Sequence, residues 1–386
     1  MRKILPLLVL LATLPLKNYA FELSPKAQIS VITGAAGQDL YALFGHSAIR
    51  VSDPFYGLDT QYNYGTFDFN TPDFYMKFTR GRLPYFLSRE NYQQFLQYYQ
   101  AEGRSVEEQV LDLSQADKQK LFDFLEKNAL TKNKYYKYDV FFDNCATKIR
   151  DVLHQTLGEK LQWKIDKNFK KQTFKQILTP YLKEAWVNYG VFLILGLQSE
   201  RRATQAQNMF LPDYLSEAVG EATIVENGKA RPLAKPKIQA MQMLTSLPTQ
   251  SFFTPFLLLT LLAVAVTGLT FWEYKQGKRW RGIDFALFFI TGAMGCFFML
   301  MWFATDHLAL HMNLNMLWAF PPHIILSFWL LKRKLSKYWR WYFEAFGIFQ
   351  LFVLLDWYIL PQQLHIAVIP IMLLLAVRAF RVYQAK

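Results

Sequence analysis

The stretch FFDNCATKIRD, residues 141–151, holds Cys145, one of two cysteines in 386 residues, at what reads as the start of a helix. Asp143 or Asn144 is a suitable N-cap, and NCATKIRDVLHQTLG carries helical periodicity as far as Gly158. Cys145 then lies in the first turn, where free backbone N–H groups and the helix macrodipole favour negative charge and lower a thiol's pKa. Ile149 and Val152 share its face, so the thiol points toward a core. Taken alone, such a cysteine reads equally well as a small buried apolar residue.

A histidine changes the balance. His46 in FGHSAIR lies in a stretch of strand character, whereas His154 follows the cysteine on its own helix and cannot fold back onto it. A thiol at a helix start and a strand histidine make a nucleophile and base pair when the fold brings them together, and a third polar group is needed to fix the imidazole tautomer. Asn63 in TQYNYG, across a turn from the His46 strand, is the preferred third residue; Asp68 is the alternative, because register is not legible in sequence.

Outward from these residues the chain divides. Hydrophobic residues make up 52% and aromatic residues 17%, a composition that places part of the chain in lipid. Residues 1–20 combine Arg2 and Lys3 with a short apolar run and Ala20, the pattern of a cleavable secretory signal; Asn18 is atypical there and leaves an uncleaved anchor open. From residue 252 five apolar segments follow, at about 252–272, 283–304, 314–331, 342–360 and 364–380. Lys and Arg crowd the first and third loops and the tail and are missing from the other two loops, which predicts a cytoplasmic C-terminus and an exported N-terminal region. The net charge of +13 does not mark a nucleic-acid binder, because residues 251–386 alone carry 12 Lys and Arg against 5 Asp and Glu. In an exported chain two cysteines could pair, but Cys296 falls inside an apolar span and Cys145 in a polar domain, so both are expected as free thiols.

Residues 21–225 read as one α+β domain. Strand character marks ISVITG, YALFGHSAIRVSD, TQYNYGTFDF, LPYFLSR and RSVEEQVLDL, and helices are expected at 115–129, 144–157 and 174–188. Residues 226–250 are basic and contain proline, and are expected as a juxtamembrane linker before the transmembrane domain, 251–386. At the outer ends of the spans, His307, Asn315 and Asp356 are candidate headgroup or substrate contacts, as is Asn144 beside the thiol. His307 and His311 stand at i, i+4, but no third ligand has a recognisable spacing, so no metal is expected.

The order of histidine strand before cysteine helix reverses papain's. It resembles the permuted papain-like fold of lecithin:retinol acyltransferases, with His46 and Asn144–Cys145 at the matching positions. FGHSAIRV, YNYGTFDF, GRLPY (81–85), YDVFFDNCATKIRD and MFLPDYL (209–215), followed by spanning helices, resemble the Lnb family of bacterial lipoprotein N-acyltransferases over nearly all of the mature chain. TFKQIL departs from that family in placing Lys175 where arginine is expected. The resemblance implies an inner-membrane enzyme with a periplasmic permuted papain-like domain on a bundle of about five transmembrane helices. It also implies a Cys145 thioester, a membrane phospholipid as acyl donor, the N-terminal amine of diacylglyceryl-cysteine lipoproteins as acceptor, and no cofactor. Two other readings stand beside it: a membrane-anchored cysteine hydrolase acting on cell-wall peptides or lipids, and a non-catalytic membrane module.

Overall fold

A computed structural model describes residues 21–243 and 251–384; the expected signal segment, 1–20, and the last residues before the bundle, 244–250, lie outside the described residues. The N-terminal part runs β1 (Gln28–Gly34), β2 (His46–Asp53), β3 (Leu58–Thr66), α1 (Phe74–Thr79), β4 (Tyr85–Asn91), α2 (Tyr92–Ala101), β5 (Val106–Val110), α3 (Gln115–Ala129), β6 (Tyr135–Tyr136), α4 (Cys145–Leu157) and β7 (Leu161–Gln162). It continues through α5 (Phe174–Leu178), α6 (Ala185–Ile194), α7 (Gln205–Asn208), α8 (Pro212–Glu221), β8 (Thr223–Glu226), β9 (Lys229–Pro232) and β10 (Ile238–Met241).

Seven strands form an antiparallel sheet in the order β10-β5-β1-β2-β3-β4-β6, and β7-β8-β9 form a second, small one. Period-two alternation divides the large sheet between two cores. Ile49 and Val51 of β2 and Tyr62 of β3 pack with Leu121 and Leu125 of α3, Ile149 and Val152 of α4 and Leu215 of α8, while Ala48 packs with Phe95 and Tyr99 of α2. This is the expected α+β domain, with its histidine strand before its cysteine helix.

Two segments differ from expectation. The helix foreseen over 174–188 is α5, a 3-10 turn at Thr179–Tyr181 and α6, because Pro180 has no N–H to continue the ladder. The stretch foreseen as a linker carries strands. Asn227 and Gly228, both at positive φ (51° and 74°), make the two-residue turn that pairs β8 with β9, and β10 pairs along β5 as the sheet's edge.

The C-terminal part holds α9 (Pro255–Lys275), α10 (Arg281–Phe303), α11 (His323–Leu326), α12 (Lys337–Leu355) and α13 (Ile369–Gln384). Residues 255–275, 281–303 and 366–384 are long and apolar enough to cross a membrane. The third expected span is instead broken into 3-10 turns and α11 around Pro321–Pro322. This broken segment runs against α10 where glycine leaves room: a Cβ on Gly295 would lie 1.9 Å from the Ala319 carbonyl oxygen, and one on Gly292 2.2 Å from the Ile324 nitrogen. At one end of the bundle Arg378, fully buried, meets Glu273 (2.6 Å) and Asp284 (2.7 Å), tying α9, α10 and α13 together. A buried cation would be costly without both carboxylates.

The other end carries the N-terminal domain. The last carbonyls of α6, which have no intrahelical partners, accept from the bundle's loops: Leu193 and Ile194 from Asn313 (2.8 and 3.1 Å), Leu193 from Asn315 (3.0 Å) and Leu195 from Gln362 (2.8 Å). Gly196 presses on His311, whose carbonyl oxygen leaves no space for a side chain (1.9 Å from a built Cβ). Gly81, at φ 68°, seats the GRLPY loop on Asp306 and His307, and Arg80 accepts from the Asp306 N–H at 2.9 Å. Trp186 donates to the Phe253 carbonyl at 2.8 Å, just before α9. Together these contacts fix the height of the α+β domain above the bundle.

Candidate active site

Asn144 caps α4 as the sequence suggests. Its Oδ1 accepts from the Thr147 N–H at 3.0 Å, Thr147 Oγ1 accepts from the Asn144 N–H at 2.7 Å, and Asn144 Nδ2 donates to the Val140 and Phe210 carbonyls, both at 2.8 Å. Every polar group of this side chain is thus engaged within the fold, so Asn144 positions the helix start and leaves no group for a ligand. The Phe210 contact accounts for MFLPDYL, which holds the cap in place from the far side.

Cys145 is 9% exposed, and Cys145 and Cys296 are both free. The His46 imidazole lies close enough to the Cys145 thiol for each to shift the other's titration, and the backbone N–H groups of Ser47 and Ala146 also face the sulfur. His46 Nε2 lies 3.2 Å from Asn63 Oδ1, which also accepts from Gln61 Nε2 at 2.7 Å. A carbonyl oxygen only accepts, so this contact places a proton on Nε2. The structure therefore brings His46, Asn63 and Cys145 together. Asp68, the alternative third residue, is exposed and accepts from the Asn70 N–H instead.

Electrostatics follow from the contacts. Burial pushes the Cys145 thiol up, but the charge and hydrogen bond of His46, with the two N–H groups, outweigh it and hold the thiol below its ordinary value. Burial pulls His46 down; the Cys145 charge and the bonds to Cys145 and Asn63 outweigh it, against a small opposing effect of Arg104, so the imidazole sits above its usual range. Both shifts favour thiolate and imidazolium over the neutral pair.

Gly65, at φ 88° in a β3 irregularity between Asn63 and Thr66, forms one wall: its missing Cβ would lie 3.5 Å from Tyr138 and 3.7 Å from the Cys145 Cβ. Sequence reasoning passed over Gly65, Tyr138 and Gln61. Only the glycine inside TQYNYGTF signalled the irregularity that follows Asn63 in the β3–β4 pairing.

The comparisons agree with this architecture. Residues 19–179 match the family model of the Lnb N-terminal periplasmic domain, and residues 248–386 match that of the Lnb transmembrane domain. The chain belongs to the Lnb family. No curated protein and no solved structure matches it. Membership makes this Lnb chain an inner-membrane protein with a periplasmic α+β domain, and implies an enzyme of the acyltransferase type.

The remaining candidate residues of the Lnb chain are dispersed. Asn315 is fully buried, and besides capping α6 it accepts from Trp318 Nε1 at 2.9 Å; it belongs to the joint between domain and bundle. His307 Nε2 meets the Phe78 carbonyl at 2.8 Å, in the same joint. Asp356 is exposed at the C-terminal cap of α12. Lys175 lies beside Glu200 (3.4 Å) and donates to the Gln363 carbonyl; burial lowers its pKa despite Glu200, and its partners are those of a domain clasp. A groove of about 790 Å³ lined by His154, Trp163 and Ile165 lies at the opposite end of α4 from the thiol.

Proposed function

We propose that the protein is a lipoprotein N-acyltransferase in which Cys145 carries the acyl group between a membrane phospholipid and the N-terminal amine of a diacylglyceryl-cysteine lipoprotein. The observation that carries the reading is the Cys145, His46 and Asn63 constellation, held on a spanning bundle at fixed height. The Cys145 thiolate attacks the ester carbonyl of the donor; the first-turn N–H of Cys145 faces the developing oxyanion; and His46, as imidazolium, passes its proton to the departing glycerol oxygen. This yields a lysophospholipid, a thioester and neutral His46. The acceptor's α-amine, with a pKa of roughly 8, then attacks the thioester, His46 takes its proton, and the thiolate leaves. The starting ion pair is restored, so one residue serves as acid in the first half and base in the second.

The docking contacts support the orientation foreseen from the charged loops. The periplasmic domain touches residues 253, 306–313 and 362–363, which supports reading the opposite end, where Arg279 and Arg378 lie, as the cytoplasmic one.

The test is the intact mass of the detergent-purified protein after mixing with phospholipid and no acceptor. The parent should gain one fatty-acyl mass, removable by neutral hydroxylamine, and Cys145→Ala should gain none. Release of free fatty acid with no acyl-protein would favour the hydrolase reading, and an inert parent would favour the non-catalytic one.

A further inference from the structure

α1 is six residues long, and none of its residues is buried. Tyr75 is 82% exposed, Met76 57%, Phe78 47% and the preceding Phe69 65%. So short a helix gains little from its own hydrogen bonds, and the large apolar side chains displayed on it meet neighbouring rings but leave much of their surface uncovered. Its position identifies the missing partner. The Phe78 carbonyl is held by His307 and the Arg80 carbonyl by the Asp306 N–H, just beyond Phe303, where the spanning helix α10 ends. α1 is therefore pinned level with the end of that apolar helix. Lys77, Arg80 and Arg82 flank the aromatic residues, a combination suited to a lipid surface.

From this ledge a series of aromatic rings leads inward. Phe78 stacks on Phe74 with centroids 6.1 Å apart, Phe74 meets Phe67 at 5.9 Å, Phe67 meets Tyr85 at 5.6 Å, and Tyr85 stacks on Tyr138 at 4.5 Å. Tyr138 stands beside Cys145 across the bare face of Gly65. One end of the series is thus level with the end of α10 and the other at the thiol. Ring faces and edges offer a hydrocarbon chain continuous apolar contact without polar groups to desolvate.

We propose that residues 67–78 lie in the outer-leaflet interface and that the rings from Phe78 to Tyr138 form the path along which a lipid acyl chain passes from the bilayer to Cys145. The proposal rests on the acyl-transfer reading and adds to it the element that takes the donor's chain out of the membrane.

The test uses the full-length Cys145→Ala protein, so that binding is read without chemistry. It is reconstituted in phosphatidylethanolamine and phosphatidylglycerol vesicles containing a phospholipid with a diazirine at its acyl terminus, irradiated, digested and mapped by mass spectrometry. Adducts are expected on the peptide covering 67–78 and on Tyr85 or Tyr138; adducts confined to residues 255–384 would overturn the path. Tyr75→Ser combined with Met76→Ser, both on exposed positions, should leave the unfolding midpoint in place and cut the adducts at Tyr85 and Tyr138 severalfold. Undiminished labelling there would equally overturn it. Failure of the acyl-transfer reading is visible separately, as a parent protein that never forms the thioester.

Discussion

His46 Nε2 and Asn63 Oδ1 lie 3.2 Å apart, and Asn63 is itself held from the other side by Gln61. Asn63 touches no reacting atom; it fixes which imidazole nitrogen carries the proton and the plane in which the ring lies. Asn63→Ala should lower kcat for acyl transfer about 10- to 100-fold, the scale of a catalytic group displaced by an ångström, with KM for phospholipid little changed. Full activity in Asn63→Ala, measured by thioester formation, would remove Asn63 from the machinery.

The shifts on Cys145 and His46 have opposite signs and define a pH window. With the thiol lowered and the imidazole raised, both shifts favour the ion pair: acid removes the thiolate, and alkali removes the imidazolium proton the leaving group needs. Iodoacetamide alkylation of Cys145 should therefore reach half its maximum rate below the pH of an ordinary cysteine. His46→Ala leaves only burial and the two N–H groups acting on the sulfur and should move that midpoint upward; an unmoved midpoint would mean the pair is not coupled.

Gly81 occupies a left-handed conformation against the outer loop, with a built Cβ 3.1 Å from the His307 nitrogen. Gly81→Ala should cost about 1–2 kcal/mol from conformation alone and loosen the seat of the domain. Thermal unfolding in detergent reads the first effect, and the rate of thioester formation from vesicles, relative to that from detergent-dispersed phospholipid, reads the second.

Asn315→Ala distinguishes a joint from a substrate contact. It removes a cap from the Leu193 carbonyl and leaves Trp318 Nε1 buried without its acceptor, each worth about 1–3 kcal/mol. The unfolding midpoint should fall while KM for phospholipid stays put. A raised KM with an unchanged midpoint would return Asn315 to the substrate.

The elements that carry Cys145, His46 and Asn63 were legible because each rests on a local rule: a cap before an amphipathic run for α4, β-branched and aromatic strands for β2 and β3. The pairing of His46 with Asn63 over Asp68 was not, since the β2–β3 register, with Tyr62 opposite Ile49, sets it and register is a tertiary property. Asn227–Gly228 was a readable hairpin signal hidden by the basic, proline-containing composition around it, which drew 226–250 toward a linker. The broken third span follows from Pro321–Pro322, but apolar content alone does not distinguish a crossing helix from irregular backbone buried in a bundle. Asn315 and His307 looked like ligand contacts because polar residues at membrane depth usually serve function, and here they join two domains.

The central claim is transfer through Cys145 to an amine. Its most direct test is the mass of a synthetic diacylglyceryl-cysteine peptide incubated with phospholipid and the detergent-purified protein, beside the Cys145→Ala variant. The account predicts a gain of one fatty-acyl unit as an amide, with one lysophospholipid released per peptide modified, in the parent alone. An unmodified peptide with free fatty acid accumulating, or the same gain in Cys145→Ala, would contradict it.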